Sequence, residues 1–173
     1  MKSFKIVLIV LLFVGCAPIQ VNYDFDRTTD FSKYKTYQYY GDMETGLSEL
    51  DTKRLLDAID TKMASLGLTI SENPDFLIDI RSIEFQGTPR QTVGVGLGGG
   101  GRNMGGGVSI GIPVGGTNVN RQITIDFVDE NGKGLFWQAV SEASFNVNAS
   151  PENREERLKA IAEKVLAGYP PKS

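Results

Sequence analysis

The sequence predicts an α+β fold: a mostly antiparallel sheet of about five strands, in the order β-β-α-β-β-β-α, with two helices on one face and a glycine-rich β-hairpin arm. Three observations carry this prediction. Five short stretches alternate apolar and polar residues, and two longer ones repeat apolar residues at spacings of three and four. A single hairpin register then accounts for both the conventional strands and the glycine-rich stretch between them. The 173 residues suffice for one domain with a sizeable core and are too few for two.

Val21 to Phe25 alternates and reads as the first strand. Asp30 to Tyr34 is a turn, and Thr36 to Tyr40 a second strand. Ser48 opens a helix whose stripe is Leu55, Ile59, Met63 and Leu66, and Gly67 stands where a helix ends in the left-handed conformation. Asn73-Pro74 is a turn. Phe76, Ile78 and Ile80 alternate with Leu77, Asp79 and Arg81 in the third strand, and Ile123, Ile125 and Phe127 with Thr124 and Asp126 in the fourth. A three-residue loop at Glu130-Asn131-Gly132, with Gly132 left-handed, pairs Phe127 with Leu135, Ile125 with Trp137 and Ile123 with Ala139, which buries the tryptophan. A two-residue loop would set Trp137 against Asp126 on the polar face. Ser150 caps the last helix, Pro151 takes its first position, and Leu158, Ile161, Val165 and Tyr169 form its stripe before Pro170-Pro171.

Half of residues 93–116 are glycine. If the third and fourth strands pair so that partner numbers sum to 205, Ile78 faces Phe127 and Ile80 faces Ile125. Carried outward, the same register sets Val93 against Ile112, Val95 against Ile110 and Leu97 against Val108, with a tip at Gly98 to Gly107. The apolar parity switches from even to odd between Ser82 and Val93, so the outer half turns its apolar residues to the opposite sheet face unless a bulge near Thr88-Pro89 resets it. Each glycine in a strand costs about 0.5–1 kcal/mol relative to alanine, so the arm needs cover. The cover is either the protein's own polar sheet face or a crossing loop, or another molecule: a second copy, a protein partner or a bilayer. These six apolar residues, within 93–114, are the candidate contact surface.

The chain contains no histidine, and its one cysteine is Cys16. This removes Ser-His-Asp and Cys-His catalysis and the common zinc sites. Gly94-x-Gly96-x-x-Gly99 matches the dinucleotide fingerprint in letters only, because the glycine run after it cannot start the helix that binds a pyrophosphate. No cofactor or metal motif remains. The 205 register puts Asp79 opposite Asp126 on the solvent face; such a pair is a cation site or an acid/base pair, unless Arg81, diagonal to Asp126, neutralises it. Tyr23, Tyr34, Tyr37, Tyr39 and Tyr40 read better as packing than as a sugar-stacking surface.

Residues 1–15 read as a signal peptide: Lys2 and Lys5 precede the apolar run Ile6 to Val14, which is too short to span a bilayer. Leu12-Phe13-Val14-Gly15-Cys16 resembles the lipobox of bacterial lipoproteins, with Phe13 in place of the usual leucine. The expectation is an acylated Cys16, a tether over 16–20, and one domain over 21–171 with a glycine-rich insert at 87–119. Loss of Lys2 and Lys5 takes the formal charge from −3 to about −5, and an acidic domain without basic clusters argues against nucleic acid and against binding to anionic lipid by charge.

The stretches YDFDRTTDFSKYKTYQY (23–39), NPDFLIDI (73–80), ITIDFVDENGKGLFWQAV (123–140) and PENREERLKAIAEKVLAGYPP (151–171) together resemble a group of bacterial lipoproteins grouped as the domain of unknown function DUF4136. The resemblance covers nearly all of the chain after Cys16, and its most telling parts are Asp30-Phe31-Ser32-x-Tyr34-x-Thr36-Tyr37 and Tyr169-Pro170-Pro171. It implies an envelope lipoprotein with a small α+β domain and transfers no functional residue. The expected role is a lipid-anchored, non-enzymatic binding or assembly module of the outer membrane, facing the periplasm and docking through the hairpin. The alternative is a carboxylate-dependent hydrolase of envelope glycans working through Asp79 and Asp126.

Overall fold

The computed structural model describes residues 18–86, 119–146 and 148–172. The strands are β1 (Gln20–Phe25), β2 (Thr36–Tyr39), β3 (Thr69–Ile70), β4 (Phe76–Gln86), β5 (Val119–Asp129) and β6 (Gly134–Phe145). The helices are α1 (Glu49–Ser65) and α2 (Pro151–Leu166), and a 3-10 turn covers Phe31–Lys33. All six strands form one sheet in the order β1-β6-β5-β4-β2-β3. The expected five strands are thus six. The addition, β3, is two exposed residues long, too short to show alternation, and lies parallel to β2 directly after α1. Helix α1 carries the chain back past the sheet, so β3 and β4 both run parallel to β2. The remaining pairs are antiparallel.

The helices form where the capping residues allow. Ser48 Oγ accepts from the Asp51 amide at 3.3 Å, and Ser150 Oγ from the Asn153 amide at 3.3 Å. Gly67, at φ +81°, ends the turn after α1. Leu55, Ile59 and Met63 of α1 and Leu158, Ile161, Ala162 and Val165 of α2 bury against Ile78, Ile80, Ile123, Ile125, Phe127, Trp137 and Ala139 in one core. Because β4 and β6 run the same way and each helix returns against them, both helices start at the end of the sheet where β4 leaves and β5 enters. Asp51 and Arg154, one from each first turn, meet there in an ion pair. No helix among the described residues is long and apolar enough to cross a membrane.

The β4–β5 register holds as expected, with partner numbers summing to 205 from Leu77↔Val128 through to Gln86↔Val119. The expected β5–β6 register needs correction. Phe127 pairs with Trp137, Ile125 with Ala139 and Ile123 with Ser141, two residues beyond the expected partners. The irregularity between Phe127 and Val128 leaves Phe136 as the extra residue on β6. A shift of two keeps every side chain on its face, so the tryptophan is buried as expected. The physical reason for the bulge is Phe136 itself. Its ring stacks on Tyr34 at 4.2 Å and is as buried as Trp137, so two consecutive residues must both face the core. The loop lengthens accordingly, and Gly134 at φ +71°, not Gly132, takes the left-handed conformation.

At this loop end Asp26 ties β1 to the β5–β6 turn. Its Oδ1 accepts from the Thr28 amide at 2.8 Å, and its Oδ2 from Lys133 Nζ at 3.1 Å. The Thr28 bonds, with Lys133 beside them, hold the Asp26 carboxyl down at about 2. A folded value below the unfolded one means that the contribution is present above the ordinary carboxylate value of 3.8 and is lost as pH falls toward about 2. A carbon-13 NMR titration should place the Asp26 midpoint near 2. In Thr28→Ala the midpoint should move back toward the ordinary value; an unmoved midpoint would exclude Thr28 as the cause.

Candidate interaction surface at the insert end of the sheet

The sheet face away from the helices is laid out in cross-strand rows. Asp24, Gln138, Asp126 and Asp79 form one; Asn22, Val140, Thr124 and Arg81 the next; and Gln20, Glu142, Gln122 and Ile83 the third. Beyond them lie Ser144, Asn120 and Phe85. Charge thins out toward the end where the insert begins, and apolar residues appear. Ile83 is 60% exposed on this open face, whereas Ile78 and Ile80, of opposite parity, are fully buried under the helices.

The polarity of β4 therefore inverts at Ser82–Ile83 while the ladder continues unbroken. On the helix side, the positions that should carry core residues turn polar: Ser82, Glu84 and, across the ladder, Arg121. Arg121 is buried, pairs with Glu84, donates to Ser82 Oγ at 3.3 Å and lies 4.2 Å over the Phe145 ring. Burial pulls its guanidinium below the ordinary arginine value, while Glu84 pushes back. The expected switch of parity between Ser82 and Val93 thus begins inside the described strand, at Ile83. The expected contact residues Val93, Val95, Leu97, Val108, Ile110 and Ile112, and the suggested bulge at Thr88-Pro89, lie outside the described residues, as does Cys16.

A charged cluster closes the helix side of this end. Asp51 is 1% exposed and takes Arg54 Nη1 on Oδ1 at 2.8 Å and Arg154 on Oδ2. Arg154 also faces the Phe145 ring, so one aromatic side chain carries two guanidiniums. Sequence reasoning missed this cluster, although a signal was present. Asp51 stands four residues before Leu55 and Arg154 four before Leu158, and Arg121 continues the odd-numbered core positions of β5. A groove of about 680 Å³ lies between the helices, with Leu50 and Ala58 among its lining and Lys53, Asp57, Lys62, Glu155, Lys159 and Glu163 along its sides. Its charges are mixed, and nothing in it converges on one point.

Asp79 does stand opposite Asp126, as expected. The environment differs from the expectation in one respect: Asp126, read as solvent-facing, is only 6% exposed. Arg81 lies over it, pairing with Asp126 Oδ2 and, at 3.3 Å, with Asp79 Oδ2, while Gln138 Nε2 donates to Asp126 Oδ1 at 2.7 Å. Both Asp126 oxygens are occupied by the protein itself, which favours the neutralised pair. Among the described residues no three acidic side chains gather as a metal site. Asp126→Asn is expected to cost about 1 kcal/mol, a charge-assisted bond under a largely exposed guanidinium. Urea denaturation would register it; a loss above about 3 kcal/mol would show that the pair is a structural keystone.

The tyrosines form no common surface. Tyr37 and Tyr39 both donate to Asp60 Oδ1, at 2.8 and 2.6 Å, and Tyr34 to Asp129 Oδ2 at 3.0 Å. Burial and then the Asp129 bond push the Tyr34 phenol up to about 12. Tyr23 OH donates to the Lys164 carbonyl at 2.8 Å, and Tyr40 OH to Glu130 at 3.1 Å. Each of these five hydroxyls is engaged within the fold.

Compared with known proteins, the chain matches the family model DUF4136, a domain of unknown function, over residues 21–171. No curated protein matches it. Among solved structures it is similar to a PDZ domain protein from Parabacteroides distasonis, with 13% identity and a TM-score of 0.58, over 99% of this chain and 41% of that one. The chain thus spans about two-fifths of the length of that protein. It is also similar to the PelC dodecamer from Paraburkholderia phytofirmans, with 8% identity and a TM-score of 0.50, over 87% of this chain and 96% of that one. At these identities the likeness is one of fold.

Proposed function

The chain belongs to the DUF4136 family, and from that premise we propose that it is a lipid-anchored protein of the bacterial envelope, acting as a non-enzymatic binding or assembly module. Residues 1–15 direct export, Cys16 carries the acyl chains, and the domain sits at the outer membrane facing the periplasm. Each buried methylene contributes about 0.8 kcal/mol, so several chains hold the protein essentially permanently. The docking element is the apolar set from Val93 to Ile112, and the anchor raises its effective concentration at the membrane.

One observation carries the reading: the β4–β5 ladder keeps its register to Gln86↔Val119 while its apolar side moves to the open face at Ile83. A strand whose apolar side leaves the core points that side toward something else. The alternative, a hydrolase working through Asp79 and Asp126, has less support, because Arg81 and Gln138 occupy the carboxylate oxygens it would use.

The test is a photo-crosslinking residue at Ile110 in cells, with Glu156 on the exposed side of α2 as the control. A discrete intermolecular adduct from Ile110 and none from Glu156 is the expected result. PelC is a dodecamer, so a second copy of the chain is one form the adduct can take. Products that are only intramolecular would remove the docking role.

A further inference from the structure

The sheet closes one of its exposed edges against pairing and leaves another open. Beyond the end of β2 the outer edge of β4 is occupied. Thr45 O accepts from the Ser82 amide at 2.8 Å, and Gly46 lies so close that a Cβ there would stand 2.6 Å from Ser82 O. At the far side of the sheet β1 pairs only with β6. Asp26 N donates to Phe136 O at 3.0 Å, and in an antiparallel ladder this parity turns the even-numbered amides and carbonyls toward β6. Val21, Tyr23 and Phe25 therefore carry theirs outward. The Phe25 amide is held by Asp24 Oδ1 at 2.9 Å. No described residue bonds to the outward main-chain groups of Val21 and Tyr23.

Natural sheets guard such edges with a lysine, a proline, a bulge or a covering segment. Gln20–Phe25 reads QVNYDF, without lysine or proline, and its ladder to β6 runs unbroken from Gln20↔Glu142 to Phe25↔Trp137. Tyr23 and Phe25 remain 40% and 36% exposed, although Tyr23 OH reaches Lys164 O and the Phe25 ring meets Phe31. Two antiparallel registers overlap this strand with a second copy of itself over five residues. The one centred on Tyr23 needs the Phe25 amide, which Asp24 already holds. The one centred on Asn22 needs only the amides and carbonyls of Val21 and Tyr23. Its side chains also match. Gln20 stands opposite the partner's Asp24, an amide donor against the one charge of the strand, and Val21 stands opposite the partner's Tyr23, a β-branched residue against an aromatic one. A register centred on Asp24 would set two carboxylates face to face. An unrelated strand would meet the same main-chain groups, but only a second copy brings Gln20 to Asp24 twice over.

We propose that β1 is a self-association edge, at which a second copy of this chain adds its own β1 antiparallel about Asn22 and joins two six-stranded sheets into one. The pairing draws on neither the insert nor the lipid anchor. Its two-fold axis makes the contact closed: each edge is used once, and association ends at two copies. The main-chain bonds fix the register, while the Val21 and Tyr23 side chains of the two copies shield one another on the helix side of the sheet.

The experiment uses the full chain expressed in cells, with one cysteine added at a time on the open face of β1. In the proposed pair position 22 is a non-hydrogen-bonded site opposite its own copy, with Cα atoms about 4.5 Å apart. That lies inside the range of about 4.4–6.8 Å that a disulfide spans. Positions 20 and 24 each lie about 14 Å from their own copy, four residues along the strand, but face one another. All three native residues are exposed, so the substitutions leave the core as it is. On mild oxidation of the cells, Asn22→Cys should give a covalent dimer several-fold above either Gln20→Cys or Asp24→Cys alone, with the link mapped to position 22 by mass spectrometry. Gln20→Cys and Asp24→Cys should link to each other when co-expressed. No dimer from Asn22→Cys overturns the proposal. A link from Asp24→Cys alone at the same yield also overturns it, because the contact then has another register or none. An Asn22→Cys adduct with a different protein shows that the edge serves a foreign strand, and overturns self-pairing.

Discussion

Replacing Asp51 with alanine is expected to lower the unfolding free energy by about 3 kcal/mol. The carboxylate is almost wholly inaccessible and is the shared acceptor of Arg54 and Arg154. Truncation leaves two guanidiniums, each only partly exposed, without their counter-charge. It also detaches the first turn of α2 from that of α1, and with it the Phe145 ring on which Arg121 and Arg154 both rest. The pair is not thereby a large net stabiliser. Removing both charges together, as Asp51→Leu with Arg154→Met, should recover most of the loss, because buried ion pairs and apolar substitutes of similar volume come out nearly equal. Urea unfolding of the two variants separates the cases. A double variant as unstable as Asp51→Ala would mean that the site depends on hydrogen-bond geometry and not on charge balance.

The second large effect is expected at the bulge. Trp137→Ala should cost about 3–5 kcal/mol, the range for emptying a large aromatic site in a packed core. The indole has no exposure, and it packs against Phe127 at 4.5 Å and Tyr169 at 5.4 Å between ring centroids. Its Nε1 has no hydrogen-bond partner among the described residues. Trp137→Phe therefore loses volume without orphaning a donor, and about 1–2 kcal/mol is expected. A Trp137→Phe variant as damaged as the alanine one would show that the indole N–H has a partner after all. Thermal unfolding by circular dichroism suffices for either measurement.

What could be read in the sequence was whatever repeats. The face of each β4 and β5 residue followed from alternation, which buries Ile78, Ile80, Ile123, Ile125 and Phe127 together, while the choice of 205 over a register two residues away came from the one number that also paired the glycine-rich stretch. Both helix caps were legible for a local reason: a serine oxygen reaches an amide three residues on. The β5–β6 register was not, because a bulge inserts one residue without changing the parity of the rest, and only the neighbours of Phe136 reveal it. Strand β3 escaped because two exposed residues carry no period. The charged cluster was hidden by habit of reading rather than by lack of signal. Asp51, Arg121 and Arg154 each occupy the next position of an apolar stripe, but a charge there is usually taken as the stripe's end. Their burial depends on partners from three other segments, and that is tertiary information. Asp126 was misplaced for a similar reason: alternation gives its face, while the arginine that covers it comes from the neighbouring strand.

The pairing of Gln86 with Val119 has one more consequence, which concerns chain length. These residues face each other across the ladder, so joining them through the 32 residues from 87 to 118 carries the entropy of closing a loop of that length. The entropy of closing a loop grows with the logarithm of its length, and going from a four-residue turn to one eight times longer costs only about 2 kcal/mol. Closure alone thus sets little penalty on how long that segment is: a homologous chain could carry a turn of about four residues or an insert of 32 on the same ladder end.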